Sequence, residues 1–196
     1  MHYLFFDISH RDIRIQRPWG EEILPFLDLE RNFPGKLYKI FDHFPDVKDI
    51  YVLNGPGSFT TLRIACLCLN LMQLWRKNTL HFHSLTKIDL FQYGYQQWVL
   101  PRYSLVWIGQ AKNIWEVDLE TGEREKVGKD EKMEREEDGG KQYFVDESIG
   151  EGYDAPYILC TDDWITLQYG EKILSLHTLW SEKSEKYISP EYMVEI

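Results

Sequence analysis

Three groups of residues in this 196-residue chain have types that could do chemistry. The first is Asp7, in the run Phe6-Asp7-Ile8-Ser9. A carboxylate there could stand near Mg²⁺ and phosphate, or it could be a turn or cap residue. Phosphoryl transfer also needs phosphate loops and usually a second acid or base, and no paired phosphate loop is recognisable in the second half. The second group is Asn54-Gly55-Pro56-Gly57-Ser58-Phe59-Thr60-Thr61-Leu62-Arg63. Its glycines permit backbone angles that other residues avoid, and Pro56 stiffens the bend. Ser58 or Thr60 can cap a helix start. Gly55, Gly57 and Ser58 could also present backbone amides to an anion or nucleotide. No Lys follows at Walker A spacing, so this is not a P-loop, and a structural turn is the plainer reading. The third group is His81 and His83, which share one side of a short strand. Two histidines need a third metal ligand and none is in register, so aromatic packing is the plainer reading. Ser58, His43 and Asp46 form no triad, and no nucleophile elbow is present. The reading therefore names no catalytic residue and no metal ligand.

The elements that must position these groups follow from periodicity. Tyr3 to Ile8 reads as a buried strand, Asp12 to Gln16 as a second strand, and Glu22 to Leu29 as a third after a turn at Pro18-Trp19-Gly20. Pro34-Gly35 is expected to open a helix over Lys36–Phe44, with Leu37, Ile40, Phe41 and Phe44 at helical spacing. Ile50 to Leu53 is a short strand leading into the glycine turn. The segment Leu62 to Trp75 has almost no polar face, although Asn70 and Gln73 interrupt it. A surface helix normally shows water a polar stripe, and a small fold can enclose few helices completely. The expectation is that one side packs on the sheet and the other on a second chain; a core helix is the alternative. His81 to His83 is read as a strand and Ser84 as the N-cap of a helix from Leu85 to about Tyr95. A lobe boundary is expected near Tyr95–Pro101. Beyond it, Tyr103–Ile108 and Asn113–Leu119 read as strands. A Glu120-Thr121-Gly122 turn then makes a hairpin with Glu123–Val127. Glu123 to Asp138, with eight acids and five bases, reads as a solvated loop. Tyr157 to Cys160 reads as a strand, and Thr161 or Asp162 as the cap of a short helix before Gly170. The order of elements is that of an α/β protein with mixed sheets.

Composition narrows the function. Hydrophobic residues make up 43% and aromatics 15% of the chain, which is enough for a folded core. The formal net charge is −10, a poor match for phosphate backbones, so contact with tRNA is expected only through a partner. Cys66, Cys68 and Cys160 form no framework, which points to reduced thiols in a cytoplasmic protein. The first residues do not form a signal peptide. No apolar stretch is long enough to span a bilayer, so no membrane association is expected.

The run Gly55–Arg63 resembles the Gly-Pro-Gly-Ser-Phe-Thr-Gly-Leu-Arg signature of the TsaB (YeaZ-like) family, matching eight of nine positions. Thr61 stands where the family has glycine. Phe6-Asp7-Ile8-Ser9, His83-Ser84-Leu85 and Ser189-Pro190-Glu191-Tyr192 resemble further family positions more loosely. Ile108-Gly109-Gln110-Ala111-Lys112 departs from the family's Asp-Ala-Arg. The resemblance implies a degenerate, two-lobed actin-like ATPase (ASKHA) fold, with lobes over residues 1–98 and 99–196. It implies a non-catalytic subunit that binds a TsaD-like catalytic subunit and joins a TsaE-like P-loop ATPase. That complex forms threonylcarbamoyladenosine (t6A) in tRNA. Leu37, Ile40, Phe41, Thr60, Arg63, Ile64, Leu67 and Leu71 are the interface residues so expected, with a homodimer when the chain is alone. No cofactor is implied for the chain itself; ATP or ADP with Mg²⁺ at a subunit interface stays open. The alternative is a free-standing small kinase or ATPase of the same superfamily that uses Asp7.

Overall fold

The computed structural model describes residues 3–17, 20–107, 114–127, 141–146, 155–161, 164–181 and 184–191. A mixed five-stranded sheet is built from β1 (Tyr3–Asp7), β2 (Ile13–Arg17), β3 (Gly20–Leu24), β4 (Asp49–Leu53) and β5 (His81–Leu85), in the order β3-β2-β1-β4-β5. β2 and β3 run antiparallel to their neighbours, whereas β4 and β5 are parallel to β1. The apolar run of β1 is buried on both faces, as a central strand requires. Leu4, Phe6 and Ile8 enter one core with α1 (Leu29–His43) and α2 (Phe59–Trp75). Tyr3 and Phe5 enter a second core with α3 (Lys87–Gln96) and residues from the later strands.

Those later strands form two further sheets. One has the order β8-β7-β6-β9, from β6 (Tyr103–Trp107), β7 (Ile114–Asp118), β8 (Arg124–Val127) and β9 (Tyr143–Val145). The other is β10 (Tyr157–Cys160), β11 (Ile165–Tyr169) and β12 (Lys172–Ser175), an antiparallel meander. A short α4 (His177–Ser181) places Trp180, fully buried, against Phe5 and Tyr51. The mixed α/β class and the β7–β8 hairpin agree with the sequence reading.

Four local expectations are corrected. The third strand stops at Leu24, and residues to Leu29 do not extend it. α1 begins at Leu29, and Pro34 lies inside it instead of opening it. A proline within a helix costs about 3 kcal/mol through its missing N–H and its steric clash. Leu29 and Phe33, both fully buried upstream of Pro34, offset this at about 1.5–3 kcal/mol each. Ser84 does not cap α3, because β5 continues to Leu85 in register with Leu53. Thr86 is the cap, in a reciprocal capping box with Asp89. The helix expected before Gly170 is strand β11, whose buried Ile165 and Leu167 alternate at period two. The expected Pro18-Trp19 turn, Ile108–Lys112, residues 128–138 of the charged loop, Asp162 and Tyr192 lie outside the described residues.

Residues 184–191 act as a strap across α2 and β5. Glu185 and Phe82 exchange both backbone hydrogen bonds. Asn70, on α2, donates to the Ile188 carbonyl at 2.8 Å and accepts from its N–H at 3.0 Å. Gln73 donates to the carbonyls of Leu80 and Lys186 and accepts from the Leu80 N–H. The two polar residues that interrupt the apolar segment are therefore the ones that bind the strap. Gln73→Ala leaves three backbone groups without this partner and is expected to destabilise the chain by about 2–3 kcal/mol, read as a lowered urea midpoint with an unchanged slope.

Candidate functional site

Asp7 ends β1 and is buried. One carboxylate oxygen accepts from the Ser9 N–H at 2.9 Å and the Ser9 hydroxyl at 2.6 Å. The other lies 3.1 Å from His10 Nε2. Burial alone pushes the carboxyl up. The charge and hydrogen bond of His10, the Lys87 charge and the Ser9 hydroxyl outweigh it and hold the group well below its ordinary value. Lys87, in the first turn of α3, is itself buried and meets both oxygens of Asp146 at 3.0 and 2.8 Å. Asp146 follows β9, so this buried ion pair ties the first sheet's helix to the second sheet. Asp7, His10, Lys87 and Asp146 line a cleft of about 440 Å³ whose apolar wall includes Leu53 and Phe91. Asp7 is already engaged by Ser9 and His10, and Lys87 by Asp146.

The glycine turn is set by close packing. The N–H of Asn54 bonds to the Leu85 carbonyl, and the Lys87 N–H bonds to the Gly55 carbonyl. Gly55 sits at φ +73°, a left-handed region that favours glycine. A Cβ on Gly55 would strike the Glu191 carbonyl oxygen, and one on Gly57 would strike the Ser9 carbonyl. The Asn54 side chain donates to the Ser189 carbonyl at 2.7 Å and to the Ser84 hydroxyl at 3.2 Å. Ser58 is the N-cap of α2, accepting from the Thr61 N–H. Thr61, the position that departs from the family run, donates its hydroxyl to the Arg11 carbonyl at 2.6 Å. The turn thus locks the β1 loop, the start of α2 and the strap to one another.

α2 leaves one face uncovered. Thr61, Leu62, Ala65, Cys66, Cys68, Leu69 and Gln73 are buried. Leu67 (61% exposed), Leu71 (50%), Leu74 (56%) and Trp75 (48%) form a stripe on the other side. Phe59 extends the stripe at one end, and Tyr38 of α1 packs on Trp75 with ring centroids 5.2 Å apart. Thr60 and Arg63 are exposed and Ile64 is half-buried beside the stripe. Together with Leu67, Ile188 and Pro190 they line a groove of about 650 Å³.

Of the residues expected at a partner interface, Thr60, Arg63, Ile64, Leu67 and Leu71 lie together on this face. Leu37, Ile40 and Phe41 do not, since they are buried in the chain's own core. Their helical spacing reported the inward face of α1, and Tyr38 is the outward aromatic there. Of the residues expected at an anion site, Asp7 lines the cleft, whereas Gly55, Gly57 and Ser58 do not; Ser9, bonded to Asp7, packs on Gly57. Sequence reasoning missed Lys87 and Asp146, which are 59 positions apart and carry no joint signal. It also missed Asp49, which lies in register with His81 and stands 3.6 Å from His81 and 3.0 Å from His83. His83 stacks on Tyr51 with centroids 4.6 Å apart. Among the described residues no group of three or more His, Cys, Asp or Glu is arranged to hold a metal ion. Cys66, Cys68 and Cys160 are free thiols, and burial pushes Cys66 and Cys160 up to about 12. No helix among the described residues is long and apolar enough to cross a membrane.

Two variants test the site's construction. Gly57→Ala is expected to cost about 1–3 kcal/mol through the clash with Ser9, measured by chemical denaturation. The Asp7 carboxyl is depressed in the folded state, so its contribution is fully present above the ordinary value of 3.8 and is lost as pH falls toward the folded value. Asp7→Asn is therefore expected to lower stability at neutral pH and to flatten the fall in unfolding free energy between about pH 5 and pH 2.

No family model and no curated protein sequence matches the chain. Several solved structures resemble it in part. YeaZ from Pseudomonas aeruginosa shares 18% identity over 64% of this chain and 64% of its own, with a TM-score of 0.41. A structure described as an uncharacterized protein with similarity to peptidase YeaZ from Pseudomonas aeruginosa shares 20% identity over 65% of this chain and 64% of its own, with a TM-score of 0.39. The chain thus spans less than two thirds of the length of either.

Proposed function

We propose that this chain is a non-catalytic docking subunit, TsaB-like in role, that binds a TsaD-like catalytic subunit through the outer face of α2. One observation carries the reading: Leu67, Leu71, Leu74 and Trp75 stand about half exposed in one stripe while the opposite face of the same helix is sealed in the core. Exposed apolar patches of this kind mark interaction sites. Covering what remains of each side chain is worth on the order of 1 kcal/mol, so four or five together can hold a partner. The eight-of-nine match over Gly55–Arg63 supports this choice of partner class. On this reading the chain is two-lobed, of degenerate actin-like type, and works in the cytoplasm. It meets tRNA only through the complex that makes t6A, which a TsaE-like P-loop ATPase joins. ATP or ADP with Mg²⁺ would then belong to a subunit interface. In the absence of the catalytic subunit the same face is left to pair, more weakly, with a second copy.

The kinase alternative is not favoured. Asp7 is already engaged by Ser9 and by His10 at 3.1 Å, and Gly55 and Gly57 are accounted for by contacts with Glu191 and Ser9.

The test is co-purification of the tagged chain with the TsaD-like subunit of the same cell. Leu67→Arg or Leu71→Arg is expected to weaken capture about a hundredfold while the circular dichroism spectrum and melting temperature stay those of the parent. Undiminished capture by both variants would overturn the reading.

A further inference from the structure

The helix that carries the exposed stripe carries charge of one sign only. Between Phe59 and Asn78 there are three charged residues: Arg63 near the start, and Arg76 and Lys77 just past the end. Among the described residues none of the three is paired with a carboxylate. Arg63 lies over the exposed Phe59 ring at 5.3 Å, and Arg76 donates to the Pro45 carbonyl. Glu30 lines the same groove as Arg63 without pairing with it. This is unusual for a chain of net charge −10, in which acids outnumber bases 32 to 22.

The arrangement bears on what can dock. In a two-fold dimer each copy offers the same surface. With the axis along α2 the two helices run parallel, and Arg63, Arg76 and Lys77 each meet their own copies. With the axis across α2 they run antiparallel. An antiparallel pairing centred between Leu67 and Leu71 sets these two opposite each other. It then sets Arg63 opposite Trp75, next to Arg76 and Lys77 of the second copy. Both ends of that contact place like charges together. An apolar helix face flanked by Asp or Glu at both ends would meet the same stripe with opposite charges. Such complementarity selects partners and rejects wrong ones.

We infer that the α2 face is built for a different protein, whose docking helix is apolar and flanked at both ends by carboxylates, and that the three cations hold self-pairing of this chain in check. The inference rests on the docking reading above and adds the chemistry of the partner. It predicts opposite salt responses. Raising salt from about 50 mM to about 500 mM screens surface charges, so self-association of the isolated chain strengthens while binding to the TsaD-like subunit weakens.

Arg63→Glu reverses one end of the contact. Arg63 is exposed, so the variant keeps its fold. At about 50 mM salt it is expected to tighten self-association about tenfold, by sedimentation, and to weaken binding of the TsaD-like subunit about tenfold, by calorimetry. If Arg63→Glu leaves both unchanged, or moves both in the same direction, the charge selection is wrong. Leu67→Arg separates the two ideas. Loss of binding with Leu67→Arg but none with Arg63→Glu leaves docking standing and removes the partner chemistry. No change with either variant removes both.

Discussion

α2 cannot rotate about its own axis. Its inner face is committed to the sheet through Leu62, Ala65 and Leu69. One flank is committed to the strap through Asn70 and Gln73, whose amides pair with backbone groups of Leu80, Lys186 and Ile188. A buried amide side chain that lost those partners would leave polar groups unpaired at a cost well above thermal energy. The orientation of the helix is therefore held by directional bonds as well as by non-directional burial. That is what makes the outward stripe a fixed surface and not one of several faces the helix could show.

The glycine-proline turn holds the same helix at its other end. Gly57 lets the start of α2 approach the Ser9 carbonyl, and Gly55 lets the turn pass the strap at Glu191. Asn54 then bonds to the strap carbonyl of Ser189. Asp7, on the far side of the Ser9 contact, orders the β1 loop against which Gly57 rests. Residues that could have been phosphate-binding parts are here engaged as joints. Lys87 and Asp146 extend the scheme to the second sheet. A buried ion pair adds little net stability when both members are present, yet removing one member leaves an unpaired charge. Its effect is to fix one relative placement of the elements it joins.

Charge completes this description. Along α2 the exposed apolar run Leu67–Trp75 lies between Arg63 on one side and Arg76 and Lys77 on the other, on a chain that is acidic overall. Apolar area supplies most of the drive to associate. The end charges affect which partner is accepted, because like charges brought together at an interface are unfavourable for any partner of the same sign.

Much of this was legible in the residue order. Strand β1, the glycine turn, the over-apolar α2 and the β7–β8 hairpin follow from local periodicity and turn chemistry, which depend only on near neighbours. The eight-of-nine run singled out the turn and the start of α2 as the informative place. Pro34 inside α1, the cap at Thr86 and the strand at Ile165 were not legible, because burial and strand register overrode the local signal. Nor could spacing show which apolar residues of α1 and α2 face outward. Leu37 and Leu67 look alike in the sequence, and only the packing of one chain around itself buries the first and leaves the second 61% exposed. Contacts such as Lys87 with Asp146, or Asn54 with Ser189, join residues far apart in the chain, and that pairing is decided by tertiary structure alone.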